Sequence, residues 1–470
     1  MMGLKQCSAL LLVCFLLCFV GATLAESATV CVTPTGSGSM NGADWSNAMQ
    51  WPPTFSRGNT YYLAGGSYGS GVFSTPVSGS TFITIKKATA SDHVTDTGWQ
   101  ASYGTSVALF TNISFSTSYW IFDGVTGGGP GSWGTGHGFE VTALSDLIVL
   151  NGSIGNITVR HVNAHVFPEN APHDSMGDPN TGTNFFEIFK GTAGGIGNIT
   201  VQYCYFHNVF GCPFQMVGWD TVTIEYNYLR QNRGSAAWHS AGIAVHPTTT
   251  NVTVRYNVWE DIEGTSFIDG IEYGEIGHWY VYGNVFAHTG NYGSSVSGVI
   301  TTANDATNRV TNNHWGVYNN SIINVKGVAK LYWADPAGTD IIVENNLFYG
   351  NRTNDSYTNY VFIQGAGVTY DYNHYSATAH PGFFTPGAHE NSLYWGPNCL
   401  LSADTTNYFV NWQNGDYRLN QALAGIALPS PYGQDILGNT RGADGTWDVG
   451  AYEYGPGNGL AAPSNLRIAN

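Results

Sequence analysis

Between residues 157 and 380, apolar and polar positions alternate in short runs that recur with different residues each time. The runs read ITVRHVNAHVF (157–167), ITVQYCYFHNVFG (199–211), VTIEYNYLRQNRG (222–234) and VTVRYNVWEDIEG (252–264). They continue as WYVYGNVFAHTG (279–290), GVYNNSIINVKG (316–327), IIVENNLFYGN (341–351) and VTYDYNHYSATA (368–379). Each opens with a stretch of period-two alternation, the signature of a strand with one buried face. An Asn, two mostly apolar residues and a polar turn usually follow. The runs start 23 to 42 residues apart. A unit of that length cannot bury its apolar face alone and must stack on its neighbours. The pattern therefore predicts a β-solenoid with one coil per repeat.

Asn227, Asn257, Asn284, Asn320, Asn346 and Asn373 hold the same slot in six successive runs, while Val162 and Cys204 fill it in the first two. An Asn that bends the chain after a strand can bond to the rungs above and below it. The pattern resembles the internal Asn ladder of right-handed parallel β-helices, the pectate-lyase-like superfamily. The fold that resemblance implies is all-β, with the Asn residues holding turns and taking no part in chemistry.

The ends carry their own resemblances. CVTPTGSGSMNGADWSNAM (31–49), YYLAGGSYGSGVF (61–73) and ITIKKATASDHVTDTGW (83–99) look like the opening of secreted bacterial β-helix proteins. This part is expected to form an N-terminal cap and first coils over 26–100, ahead of regular coils over 157–380. Asp435, Gly438, Arg441, Asp448, Gly450 and Glu453 resemble the closing segment of the same proteins, expected over 381–455 within one β-helix domain of 26–455. Residues 456–470 read as a linker-like tail.

Residues 1–25 carry Lys5, an apolar run and a small-residue end at Ala25, which reads as a signal peptide and predicts a secreted, extracellular protein. No other apolar run is long enough for a membrane span. Four Cys remain beyond that segment, Cys31, Cys204, Cys212 and Cys399, too few for a disulfide scaffold. Cys204 and Cys212 flank one turn, where they can pair or stand separately. The net charge of −16 argues against nucleic acid as a partner, and a monomer is expected. Three of the eight N-x-Ser/Thr sequons, at Asn156, Asn198 and Asn251, begin the repeated N-[IV]-T-V phrase, so the repeat accounts for them.

Motifs of other chemistries lack their context. Gly65-Gly66-Ser67-Tyr68-Gly69 fits G-x-S-x-G without a strand-to-helix setting, and the Gly127–Gly134 stretch precedes no helix. No nucleotide or organic cofactor is expected.

The ionisable residues gather on the second strand of the coils. Aligning Phe186-Glu187-Ile188, Phe214-Gln215-Met216, Ile243-Ala244-Val245-His246, Ile271-Glu272-Tyr273 and Leu331-Tyr332-Trp333 places Glu187, Gln215, Ala244, Glu272 and Tyr332 in one outward column. His239, His246, Lys190, Arg230, Asp269 and Glu272 are the candidate catalytic residues. Arg233, Arg255, Gln215 and Trp238 are candidates for substrate binding. Glu187, Asp269 and Glu272 offer the hard oxygen ligands that suit Ca²⁺. A second column, His165, His207, Arg230 and Glu260, follows the Asn slot by three positions and reads as a solvated turn face or a polar strip. A third, from Arg160, Gln202, Glu225 and Arg255 to Tyr282, Tyr318, Glu344 and Asp371, reads as cross-strand charge pairing.

A wall of this kind suits an extracellular polysaccharide. β-Elimination from a uronate needs a base for the proton α to the carboxyl and a cation to neutralise that carboxyl. In the β-helix lyases that the pattern resembles, Lys or Arg is the usual base and Ca²⁺ often bridges. A polysaccharide lyase is the leading expectation. Glycoside hydrolysis is the alternative, although it needs two carboxyls roughly 5–9.5 Å apart and the aligned Glu187 and Glu272 are farther than that. Binding without catalysis is the third, with Trp219, Trp238, Trp279, Trp315 and Trp333 as sugar-stacking candidates.

Overall fold

The computed structural model describes residues 27–178, 180–234, 240–246, 248–270, 274–289, 296–302, 310–325, 331–333, 340–350, 363–364, 368–376, 397–402 and 407–455. The period-two runs are strands, and nearly every pairing between them is parallel. They build a thirteen-stranded and a nineteen-stranded sheet whose neighbours in space are one coil apart in sequence. The long strand Tyr205–Met216 turns the larger sheet through a corner, because its first half pairs with Val162–His165 and its second half with Phe186–Gly191. Gly211 sits at that corner at φ 142°, where a Cβ would lie 2.0 Å from the Phe186 carbonyl oxygen. Each coil thus presents three faces: the thirteen-stranded sheet is the first, the part of the larger sheet around Val162–His165 the second, and the part around Phe186–Gly191 the third. The architecture is the right-handed parallel β-helix.

The Asn slot is the ladder that the repeat predicts. Asn257 donates from its backbone N–H and its Nδ2 to Asn284 Oδ1, at 3.0 Å each. Asn284 repeats this with Asn320, Asn320 with Asn346, and Asn346 with Asn373. Cys204 joins through its N–H to Asn227 Oδ1 at 2.9 Å. The ladder is wholly buried, so each amide satisfies backbone groups that would otherwise be orphaned at the bend. The residue before the ladder slot has positive φ in every regular coil: His161, Tyr203, Tyr226, Tyr256, Gly283, Asn319, Asn345 and Tyr372. Left-handed backbone costs a Tyr about 1–2 kcal/mol. Flat stacking of Tyr203 on His161 at 5.1 Å and on Tyr226 at 5.3 Å helps to offset it.

The three repeated sequon residues Asn156, Asn198 and Asn251 also have positive φ, the conformation that Asn tolerates best outside glycine. Backbone shape accounts for their recurrence.

The interior is aromatic and aliphatic. Trp219, Trp279 and Trp315 are buried in it, with Trp279 stacked on Trp315 at 5.0 Å, so these three do not form an exposed sugar-stacking strip. Cys204 lies in this interior and Cys212 on the outer side of the corner, and neither they nor Cys31 and Cys399 form a disulfide among the described residues. Residues 407–455 lie against the second face. Tyr408, Phe409, Tyr417, Leu419 and Tyr432 pack with Tyr228 and Val258 of that face and with Tyr282 at the edge of the first. No helix among the described residues is long and apolar enough to cross a membrane.

Candidate active site on the third face

The third face carries one continuous outward column. Pairing sets Val72 beside Ser114, Ser114 beside Val149, Val149 beside Lys190, and Lys190 beside Gln215. Gln215 is followed by Ala244, Asp269, Thr301 and Tyr332. The residues just before them, Phe189, Phe214, Ile243, Ile268 and Ile300, are buried in the interior, which fixes the column as outward-facing.

This register corrects the sequence alignment. Glu187 stands level with Cys212, not Gln215, and Lys190 takes the place given to it. Asp269 occupies the rung beside Ala244 that was given to Glu272. Both slips are of three residues and have one cause. Phe186-Glu187-Ile188-Phe189-Lys190 and Ile268-Asp269-Gly270-Ile271-Glu272 each offer two apolar-then-polar frames three residues apart, and periodicity cannot choose between them. Glu272, His239 and Trp238 lie outside the described residues.

Lys190 is the column's cation. Its Nζ donates to Asp146 Oδ2 at 2.9 Å and to Glu187 Oε2 at 3.0 Å, and its side chain remains 28% exposed. Glu187 is buried, and that burial together with the adjacent Asp146 pushes its carboxyl up to about 7. Burial would raise Asp146 too, but hydrogen bonds with Glu187 and Lys190 outweigh it and hold the carboxyl below its usual range. Lys190 is held above its ordinary value, with burial opposed by the two carboxylates. The trio is therefore a fixed ammonium with one firmly ionised partner and one that titrates near neutrality.

Gln215 projects beside Lys190, and its Nε2 lies 3.5 Å from His246 Nε2. His246 follows the strand Ala241–Val245 and is half-buried. Ala244, the smallest side chain among these rungs, separates Gln215 from Asp269. Asp269 is buried, its Oδ1 has no hydrogen-bond partner among the described residues, and burial pushes its carboxyl up to about 7 against the opposing Thr265 hydroxyl. Thr301, the next rung, also has an unpartnered buried hydroxyl oxygen.

The structure separates the three arginines from this column. Arg255 stands on the first face, with its Nε 2.7 Å from Glu225 Oε2 and its NH1 2.9 Å from Tyr282 Oη. Arg233 is buried at the base of a loop, where its NH1 donates to the Gly177 carbonyl. Arg230 belongs to the second face, in the column His165–His207–Arg230–Glu260 that the spacing predicts.

That second-face column is not a solvated turn. His207 and Glu260 are buried, and Glu169 reaches in to His207 Nδ1 at 3.1 Å and to Arg230 NH1 at 3.4 Å. The closing segment and the loop carrying Glu169 cover it, which no local pattern in 157–264 announces. Burial and the neighbouring His165 hold His207 well below the usual imidazole range.

Asp146 and Thr301 are the site residues that the sequence reading missed. Asp146 just precedes the strand Ile148–Leu150 that pairs with the Lys190 strand, one coil before the recurring phrase begins. Its signal was the SDLIVL run, legible only once that coil is counted.

Ca²⁺ asks for roughly six to eight oxygen ligands around one point. Glu187 and Asp269 lie on different rungs and different strand positions, and Glu187 with Asp146 already holds the Lys190 ammonium. No group of three or more His, Cys, Asp or Glu among the described residues is placed to hold a metal. The described part of the predicted Ca²⁺ set does not fit that ion.

Neither a protein-family model nor a curated relative matches this chain. Solved structures do. The pectate lyase Pel9A is similar over 92% of this chain and 98% of its own, with a TM-score of 0.48 and 13% identity. The PL6 family alginate lyase AlyGC covers 88% of this chain and 58% of its own, with a TM-score of 0.36 and 13% identity. A GH136 lacto-N-biosidase from Eubacterium ramulus covers 75% and 68%, with a TM-score of 0.35 and 12% identity.

Proposed function

We propose that this chain is a secreted polysaccharide lyase that cleaves a uronate-containing extracellular polysaccharide by β-elimination on its third face. The observation that carries the reading is the adjacency of Lys190, Gln215 and His246 on successive rungs of one outward wall. An ammonium has three hydrogens to donate, and Lys190 gives two to Asp146 and Glu187. The third, with the Gln215 amide, is available to a uronate carboxylate. Neutralising that carboxylate acidifies the C5 proton. The imidazole of His246 is the base that takes the proton, the freed electron pair forms the C4–C5 double bond, and the C4–oxygen bond breaks, its oxygen leaving with the departing sugar and taking a proton from water to become that sugar's hydroxyl. Lys190 itself is not the base in this scheme, because its two carboxylate partners favour the protonated form.

The arrangement favours elimination over hydrolysis. Asp146 and Glu187 converge on one ammonium, which leaves no room between them for the water that an inverting pair activates. Asp269 lies three rungs beyond Lys190, about 14 Å along the wall.

The test is turnover of a panel of uronate polymers by the mature protein, followed by the ultraviolet absorbance of the unsaturated uronate. Lys190→Met and His246→Gln are each expected to lower kcat/KM at least a hundredfold. Full activity in either variant would overturn the assignment. Retention on a polymer without cleavage would make the wall a binding surface.

A further inference from the structure

The order of charges along the wall carries a statement about which polymer lies on it. From Val72 to Thr301 the column reads Val, Ser, Val, Lys, Gln, Ala, Asp, Thr, with Lys190 as its one cation and Asp269 as its one carboxyl. Rungs are about 4.8 Å apart, close to the length by which one sugar advances an extended chain. A polysaccharide lying along the solenoid axis therefore meets about one rung per sugar.

A homopolyuronate carries a carboxylate on every sugar. With one of them at Lys190, another falls against Asp269, three rungs on, and others against Val149 and Gln215. None of those rungs supplies a charge to neutralise it. At Asp269 the meeting is of like charges in a setting stripped of water, where repulsion is least screened.

Hydroxyls fit the same place. Asp269 Oδ1 and Thr301 Oγ1 are both buried without a hydrogen-bond partner among the described residues, and they sit on neighbouring rungs. Unsatisfied buried oxygens in adjacent positions call for a ligand that can donate as well as accept. A sugar hydroxyl does both, whereas an ionised uronate carboxyl only accepts.

We infer that the wall selects an alternating chain, in which a neutral sugar at Gln215 separates the uronate seated at Lys190 from the next, and a second neutral sugar, on the Asp269 rung, turns its hydroxyls to Asp269 and to Thr301 beside it. With a two-sugar repeat, carboxylates fall on the Lys190 and Ala244 rungs, and the neutral sugars on the Gln215 and Asp269 rungs. This rests on the third face being the polysaccharide site. The overall charge of −16 acts in the same sense, because it disfavours the more densely charged polymer. Asp269 titrates at about 7, so the discrimination is strongest above neutral pH.

The experiment compares polygalacturonate with the alternating galacturonate–rhamnose backbone of rhamnogalacturonan, using the mature chain at pH 8. Retention is measured on affinity gels and elimination by absorbance. The alternating polymer is expected to be retained more strongly, and eliminated with at least tenfold higher kcat/KM. Asp269→Asn is expected to narrow that ratio by lowering KM for polygalacturonate. Equal or stronger retention of polygalacturonate by the wild type would overturn the inference, whether or not cleavage occurs. An unchanged ratio in Asp269→Asn would overturn it even if elimination is confirmed. Retention of the alternating polymer alone, without elimination, would uphold the selection and sink the lyase reading. Retention of neither would sink both.

Discussion

The Tyr417 hydroxyl donates to Glu260 Oε2 at 2.6 Å, tying the closing segment to a coil 157 residues earlier. Glu260 is fully buried, and its other carboxylate oxygen takes the Tyr228 hydroxyl at 3.2 Å and lies 3.3 Å from Arg230 Nε. Removing a donor to a buried carboxylate leaves part of its charge uncompensated, which costs about 1–3 kcal/mol. Tyr417→Phe should lower the unfolding free energy by about that amount while leaving polysaccharide cleavage unchanged. Urea unfolding of the two proteins would check it, and an unchanged midpoint would contradict it.

The Asn ladder makes a sharper prediction. Asn284 Oδ1 accepts from Asn257, and its Nδ2 donates to Val254 O at 2.8 Å, to Tyr282 O at 3.2 Å and to Asn320 Oδ1 at 3.0 Å. Asn284→Ala strands several buried groups at once and should destabilise by roughly 3 kcal/mol or more. Thr369→Ala, on an exposed position of the first face, should stay within about 0.5 kcal/mol. Comparable effects from the two would mean that the ladder is not what holds the coils.

Stability should also report the buried Asp269 carboxyl. Its carboxyl sits at about 7 in the folded protein, above the ordinary 3.8. The folded state therefore binds this proton more tightly than the unfolded one. That contribution is fully present below about pH 4 and is lost as pH rises through about 7. Asp269→Asn, which cannot ionise, should raise the melting temperature at pH 8 and change it little at pH 4. The opposite pH trend would place a cation beside Asp269 that balances its charge.

The Cys204 and Cys212 thiols should be inert. Burial pushes Cys204 up to about 12, and Cys212 is raised further by burial and by Glu187. With the half-exposed Cys399 replaced by Ser, the native mature protein should react with a thiol reagent at pH 8 far more slowly than the unfolded chain. Because Cys204 and Cys212 do not pair, dithiothreitol should leave the melting temperature unchanged.

The fold was legible because its signals are local and repeated. The ladder residues Asn227 to Asn373 and the first-face column from Arg160 to Asp371 stack as their spacing predicts. The third face was harder to read, because Glu187 and Lys190, like Asp269 and Glu272, are three residues apart in segments with apolar residues in both frames. Only the pairing partners Cys212, Gln215 and Ala244 decide between them. Burial of the His207–Arg230–Glu260 column was not legible at all. It depends on Glu169 and on Tyr417, one from a loop and one from a segment more than 150 residues away.

The most direct test of elimination at Lys190, Gln215 and His246 is the structure of the new chain end. Proton NMR of the oligosaccharides released from a cleaved uronate polymer would read it. The proposed chemistry predicts a C4–C5 double bond at every new non-reducing end, with a vinylic H4 signal that grows in step with cleavage and is absent with His246→Gln. Saturated non-reducing ends, formed at the same rate by wild type and variant, would contradict it.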